Sequence, residues 1–286
     1  MRGHPGLSPG RAGGGGAVIS RSPSFSVDVD LTNPGQFFAC CGLLELAHHL
    51  WPGSEGWFAE GRLHVSARSC EGDELGLLLA RLAASSVKQD ESRGDERTHP
   101  LDLTDFGLRL DWWLPLVGSR SALKTWAGRQ EVRRIVLAMQ RALPHLDAPA
   151  RPMDFGRVLP NPPEYCSKRG DDQKTVEPFY FDTRRFTNAL HVGFSLDVHE
   201  MDTVAHPAVE LLCLVGLQRF RPASSDKGRT HHYGVWGVPL PPSVASSVVG
   251  GGVAPPGCRT YRFAMLARDA QNRYKAFGPS TLIGGQ

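Results

Sequence analysis

The chain has 286 residues, 41% hydrophobic and 21% charged, with a formal net charge of +3. That length can bury a sizeable core, as one large domain or two intimate halves. The near-neutral balance argues against a protein that grips bare nucleic acid over its whole surface, so any such role needs a local patch or a surface shared with other subunits. No apolar run approaches the roughly 18 residues of a membrane span.

Residues 1 to 22 are rich in Gly, Pro, Ser and Arg and carry no apolar periodicity. They lack the continuous apolar region of a signal peptide, and the expectation is a disordered tail or a mis-chosen start codon, with the folded part running over 23–286. Phe25 to Leu31 alternates and predicts a strand. Asn33-Pro34-Gly35-Gln36-Phe37-Phe38-Ala39-Cys40-Cys41-Gly42-Leu43-Leu44-Glu45-Leu46-Ala47 follows. Asn33 can cap a helix and Pro34 suits its first turn. Phe37, Cys41 and Leu44 share one side and Cys40, Leu43, Ala47 and Leu50 the next, so the helix is a buried scaffold element. Gly42 costs about 1 kcal/mol relative to Ala in a helix interior, and the compensation expected is close approach of another backbone.

Trp57 to Ala67 reads as one or two strands broken at Gly61, and Glu71 to Ala84 as a helix with Leu75, Leu78, Leu79 and Leu82 inward. Ser85 to Pro100 is charged and aperiodic, a solvated loop, and Phe106 to Trp113 alternates like a strand. A helix is expected from Ser121 to Leu143, with Val132, Val136, Met139 and Leu143 as its buried stripe. At about 100° per residue, Arg133, Trp126, Gln130, Arg141 and Arg134 fall side by side next to that stripe. Such a row has the parts for gripping a phosphate backbone and stacking on a base, and it equally fits a solvated face with a half-buried Trp.

Pro144 ends that helix, and 145–176 is Pro-rich and irregular, with Lys168-Arg169-Gly170 as a tip able to reach phosphates. Phe179-Tyr180-Phe181-Asp182 and Leu190 to Val198 read as strands. His206 to Phe220 then echoes the first helix: Pro at the start, a Cys, and Gly-Leu near the end, followed by the aromatic strand Tyr233 to Leu240. The echo leaves open two similar halves, 23–144 and 177–286 joined by 145–176, or convergent packing of two helices. A Gly/Ser/Val linker to Gly257 and a last strand, Arg259 to Ala267, complete an α+β fold of mainly antiparallel sheet with packed helices.

Six cysteines, at 40, 41, 70, 166, 213 and 258, form no C-x-x-C and read as reduced structural thiols of a cytoplasmic protein. Asp197-Val198-His199-Glu200 and His206 lack the one-turn His spacing of a metal helix, so no metal and no cofactor is expected. His48-His49 and His231-His232 are adjacent and point apart, a poor chelating arrangement. Gly193-Phe194-Ser195 lacks the frame of a nucleophile elbow, and Gly13 to Gly16 that of a phosphate loop.

Four motifs occur in order: the 33–46 helix, Leu123-Lys124-Thr125-Trp126-Ala127-Gly128-Arg129-Gln130, Phe179-Tyr180-Phe181-Asp182 with Gly193-Phe194-Ser195, and Gly216-Leu217-Gln218-Arg219-Phe220-Arg221-Pro222. Together they resemble a family of the I-U subtype of type I CRISPR-Cas systems, a compact version of the large subunit of the Cascade effector. The resemblance runs from about residue 25 to residue 266; the glycine-rich start departs from it. It implies a non-catalytic subunit at the 5′ end of a guide RNA that reads the protospacer-adjacent motif on duplex DNA. Such a subunit works beside backbone and guide-end subunits and helps recruit a separate nuclease-helicase. In that arrangement guide pairing supplies most sequence readout, while protein groups read a short motif and hold backbones.

The resemblance carries over no site residues. From the residues alone, the nucleic-acid candidates are Lys124, Trp126, Gln130, Arg133, Arg134, Lys168, Arg169, Arg229, His231 and His232. Competing readings are a small metal-dependent nuclease or hydrolase using Asp197, His199 and Glu200, and a structural adaptor without nucleic-acid contact.

Overall fold

The structure, a computed structural model, describes residues 22–68, 72–114, 121–146, 151–185, 203–268, 271 and 273–285. Its helices are α1 Pro34–Leu50, α2 Glu74–Ala84, α3 Val132–Ala142, α4 Pro207–Arg219 and α5 Pro242–Val249. Four small antiparallel sheets accompany them, giving the α+β class expected from the sequence. In the first, β1 Phe25–Asp28, β2 Glu55–Ala59 and β3 Arg62–Ser66 lie in the order β1-β3-β2. The second is β4 Val87–Gln89, β5 Leu101–Leu103 and β6 Leu108–Leu110 in sequence order. The third places β7 Arg157–Pro160 between β8 Thr175–Val176 and β9 Val204–Ala205. The fourth runs β10 Ala223–Ser225, β11 Thr230–Val235 and β12 Arg259–Ala267, with β13 Lys275–Phe277 and β14 Thr281–Gly285 also pairing with β12. Among the described residues no helix is long and apolar enough to cross a membrane.

The centre of the molecule is the crossing of α1 and α4. Asn33 caps α1, its Oδ1 accepting from the Gln36 amide at 3.4 Å, and Pro34 takes the first turn. Every residue from Pro34 to Ala47 is buried, as is every residue from Pro207 to Leu217 in α4. Helices apolar all round are core helices, and these two bury each other. A Cβ on Gly42 would run into the Leu212 carbonyl and lie 3.1 Å from the Gly216 nitrogen; one on Gly216 would run into the Phe38 carbonyl and lie 2.8 Å from the Gly42 nitrogen. The two glycines therefore face each other, each four residues after the carbonyl the other would strike. Three residues beyond them, buried Glu45 accepts from Arg219 Nε at 2.6 Å. The close approach expected of Gly42 is thus supplied by the very helix that echoes it.

The aromatic strands that follow the two helices also meet. The Phe58 amide donates to the Trp236 carbonyl at 2.9 Å, Gly56 pairs with Leu240, and Trp236 Nε1 donates to the Gly56 carbonyl at 2.7 Å. Phe37 stacks on Tyr233 with ring centroids 4.4 Å apart, and Phe38 packs edge-on against Phe263 and Phe277.

Several boundaries differ from expectation. The solvated loop 85–100 contains β4, whose Val87 is buried opposite Leu103. The 241–257 linker contains α5, packed so closely that a Cβ on Gly234 would strike the Val248 carbonyl. Small residues there concealed a short helix from a periodicity argument. Phe179–Asp182 joins no ladder, because Tyr180 has φ of 65°, which redirects the chain. The strand expected over 190–198 lies outside the described residues, as does the tail 1–21.

Phe179–Asp182 is instead fixed by a buried polar junction at the N-termini of α1 and α4. Both oxygens of Glu210 accept backbone amides, from Phe181 at 3.1 Å and Asp182 at 3.0 Å. Asn33 Nδ2 donates to Asp182 Oδ1 at 2.8 Å, and Arg184 closes on the same carboxylate at 2.6 Å. Burial pushes the Glu210 carboxyl up to about 8. Asp182 is also buried, a change that opposes ionisation, but the Arg184 hydrogen bonds and charge prevail and hold it below the usual carboxylate value.

Candidate nucleic-acid interface

The helix expected from Ser121 begins only at Val132. Its buried stripe is as expected, with Val132, Val136, Met139 and Leu143 all inside. Residues 121–131 form turns because two effects outweigh helical propensity. Gly128 adopts φ of 59°, with the Tyr274 hydroxyl standing where a Cβ would be. Trp126 is drawn into the core, only 2% exposed, edge-on to Trp112 and Trp113 at 5.8 and 5.6 Å and against Phe179 at 4.9 Å. The predicted row of Arg133, Trp126, Gln130, Arg141 and Arg134 on one helix flank therefore does not exist. Trp126 offers no open face on which a base could stack.

The arginines of α3 are largely engaged by the irregular 157–176 segment. Arg134 Nε donates to Asn161 Oδ1 at 2.8 Å, and its guanidinium sits 5.8 Å from the Tyr165 ring centroid. Arg141 holds Glu164 with two bonds of 2.7 Å, and Arg133 lies against Tyr165 and Glu164. Lys168 and Arg169 are exposed at the tip of that segment, their loop tied down by the Lys168 amide donating to Asp171 Oδ2 at 2.8 Å. Arg229 is exposed just before β11. His231 and His232 point to opposite faces, as adjacent strand residues must. His231 is fully buried against Phe263, bonded to Ser224 at 3.0 Å, and burial pushes it down to about 4, so it presents no cation to a ligand. His232 is half-buried on the other face, 3.3 Å from Ser225 Oγ.

What the structure does assemble is a cleft that the expected residues only partly describe. One end, about 400 Å³, is lined by Arg129, Gln130, Arg134, Glu177, Arg268 and Arg273 among others. The other, about 770 Å³, lies between the 94–98 turn, Trp113, the 121–130 loop and the β12–β13 turn, and includes Arg97, Lys124, Arg273 and Lys275. Gln130 and Arg273 line both, so the two pockets adjoin and share part of a wall. Among the described residues the acidic groups of the cleft are Asp95, Glu131 and Glu177. Glu177 is engaged twice, accepting from Gln130 Nε2 at 2.9 Å and Arg268 Nη2 at 3.1 Å. Arg268 in turn lies flat on Tyr180, 3.2 Å from the ring centroid, and burial pushes that phenol up to about 12.

Lys124, Gln130 and Arg134 of the expected set thus reach the cleft, and Trp126 contributes to its wall. Arg97, Arg129, Arg268, Arg273 and Lys275 were missed. The signal for three of them was present in Arg268 to Lys275, where basic residues flank Tyr274 on a hairpin turn. Arg97 and Arg129 carry no such mark and arrive only through tertiary packing.

Asp197, His199, Glu200 and Gly193-Phe194-Ser195 lie outside the described residues. Within the described residues, no group of three or more His, Cys, Asp or Glu side chains could hold a metal ion. Cys40, Cys41 and Cys213 are buried at the helix crossing, and burial pushes their thiols up, away from the reactive thiolate. Comparison with protein-family models, curated proteins and solved structures gives no match.

Proposed function

We propose that the chain is a non-catalytic, cytoplasmic subunit of a type I CRISPR-Cas RNA-guided surveillance complex, contacting nucleic acid through the basic cleft. Its partners in that reading are the guide RNA, target duplex DNA near the adjacent motif, the backbone and guide-end subunits, and a separate nuclease-helicase. The observation that carries the proposal is convergence. Arg97, Lys124, Arg129, Arg134, Arg268, Arg273 and Lys275, scattered over the sequence, line two adjoining pockets that share Gln130 and Arg273. A weakly charged protein that gathers its cations locally suits a complex in which guide pairing reads sequence and protein groups hold backbones. The family resemblance of the four motifs supplies the identity of the complex; the cleft supports only its nucleic-acid part.

The test is target binding by the reconstituted guide complex carrying Arg129→Ala/Arg273→Ala, over a salt series. Each lost phosphate contact should flatten the plot of log affinity against log salt by about 0.7–0.9. Arg141→Ala, on a residue held by Glu164, should leave the slope unchanged. Wild-type slope and affinity in the double variant, with the complex intact, would remove the cleft as the interface.

A further inference from the structure

The larger end of the cleft has a feature that phosphate gripping does not use. Trp126 is part of its wall, yet its Nε1–H is buried from water and has no acceptor among the described residues. The neighbouring Thr125 hydroxyl is in the same condition, whereas Trp112 and Trp113 each satisfy their indole, on the Leu214 and Thr98 carbonyls at 2.9 and 2.7 Å. Buried donors without partners are uncommon in folded proteins, and each calls for an explanation. Trp126 lines a space of about 770 Å³, which falls in the size range of small-ligand pockets and is too small for stacked duplex, while its donor is shut off from water behind that wall. Lys124 Nζ lies 5.3 Å from the Trp126 ring centroid, and Arg97, Arg273 and Lys275 complete a basic rim. Thr98, Ser121, Gln130 and Gln271 add neutral hydrogen-bonding groups.

We infer that this end of the cleft takes a single unpaired nucleotide, its phosphate on the basic rim and an acceptor atom of its base on Trp126 Nε1–H. The nucleotide comes either from a single strand threaded through the cleft or from a free nucleoside phosphate; both present the same phosphate and ring. The inference rests on the nucleic-acid reading above and deepens it at the end of the cleft that Trp126 lines. Arg129 and Arg134 line the other end. Reaching the indole requires the 121–127 loop to shift, and that loop is held as turns rather than as a helix.

The full chain is titrated by fluorescence anisotropy against a short labelled deoxythymidine oligomer and against its abasic counterpart. The wild type should prefer the base-bearing oligomer by about tenfold, the worth of one good hydrogen bond. Trp126→Phe, which deletes the N–H together with part of the ring system, should abolish that preference; it should also lower the urea midpoint, because contacts with Trp112, Trp113 and Phe179 are lost. With a merely structural indole the midpoint would fall and the preference stay intact, which overturns the inference. In protein carrying nitrogen-15 indoles, the Trp126 resonance should shift on adding the base-bearing oligomer and stay put with the abasic one. If Trp126→Phe fails to fold, the wild-type resonance still decides: no shift overturns the inference. Equal binding of both oligomers by the wild type overturns it and leaves the phosphate-gripping reading standing; binding of neither overturns both. Displacement by deoxythymidine monophosphate supports the pocket with a free nucleotide as its source, and resistance to it with base preference retained supports a threaded strand.

Discussion

Gly42→Ala sets two opposite effects against each other at the centre of the fold. In an isolated helix the change stabilises by about 1 kcal/mol through backbone entropy and helix propensity. At the crossing the added methyl would run into the Leu212 carbonyl, with the carbonyl carbon 2.9 Å away and the Gly216 nitrogen 3.1 Å away. None of these is the movable end of a side chain, so relief requires the helices to part by about 1 Å. A gap of that size forfeits a quarter to a half of each dispersion contact it opens. Phe37, Phe38, Leu212 and Val215, near the crossing, are all fully buried, so the loss spreads over many atoms. Overpacking typically costs about 1–3 kcal/mol, and the shared collision places this site at the upper end. The expected net loss is about 2 kcal/mol, read as a lower urea midpoint at unchanged slope. Gly216→Ala should cost a similar amount, because its methyl meets the Phe38 carbonyl in the same way. The double variant should cost less than the sum, since one separation relieves both collisions. A neutral or stabilising Gly42→Ala would refute the close crossing, and strict additivity would refute the mutual facing of the two glycines.

Glu210 gives a pH prediction. Its folded value of about 8 lies above its ordinary 4.5, so its contribution is complete below about pH 4.5 and is lost as pH rises through about 8. Glu210→Gln should flatten that fall in the urea midpoint; the same fall in the variant would assign it to another group. His231 works in the opposite direction: its folded value of about 4 lies below 6.5, so stability drops as pH falls through that window. His231→Phe should remove that drop. Asn33→Ala should cost about 2 kcal/mol, from a lost cap and a lost hydrogen bond to the buried Asp182 carboxylate. Asn33→Asp keeps the cap but sets a second carboxylate against Asp182, and thermal melting should find it no better than Ala.

The sequence made the scaffold legible and the cleft only in part, for a physical reason. The 33–47 stretch declares itself because cap, proline and an apolar face wide enough for full burial all agree over four turns. The stripe of α3 was equally visible, since its 4-3-4 spacing survives whatever precedes it. The error lay in carrying that period back through Trp126. An indole that finds three aromatic neighbours gains more than a turn of helix provides, and nothing local records where those neighbours are. The same limit hid α5, whose Ser, Ala and Val carry little amphipathic signal, and Arg97, whose place in the cleft depends on a turn in which its carbonyl accepts from the Val132 amide at 3.2 Å.

The motifs that carry the family resemblance are also the ones that hold the cleft to the scaffold. Asn33 reaches Asp182, and Gly35 leaves room for the Phe181 carbonyl. Gly42 admits Gly216, and Glu45 takes Arg219. Gln218, one residue before Arg219 in α4, accepts both the Asp111 and Trp112 amides at 3.0 and 3.1 Å and returns a bond to Asp111 Oδ1. Trp112 then donates to the Leu214 carbonyl and packs against Trp126 in the cleft wall. An unbroken path of hydrogen bonds and ring contacts therefore runs from the paired glycines to the indole that lacks a partner. Loops anchored on a rigid helix pair in this way can hold cations at fixed separations without secondary structure of their own. That is the property a cleft needs if it is to follow a phosphate backbone, and it ties the placement of the 121–131 segment to the integrity of a crossing on the far side of Trp112.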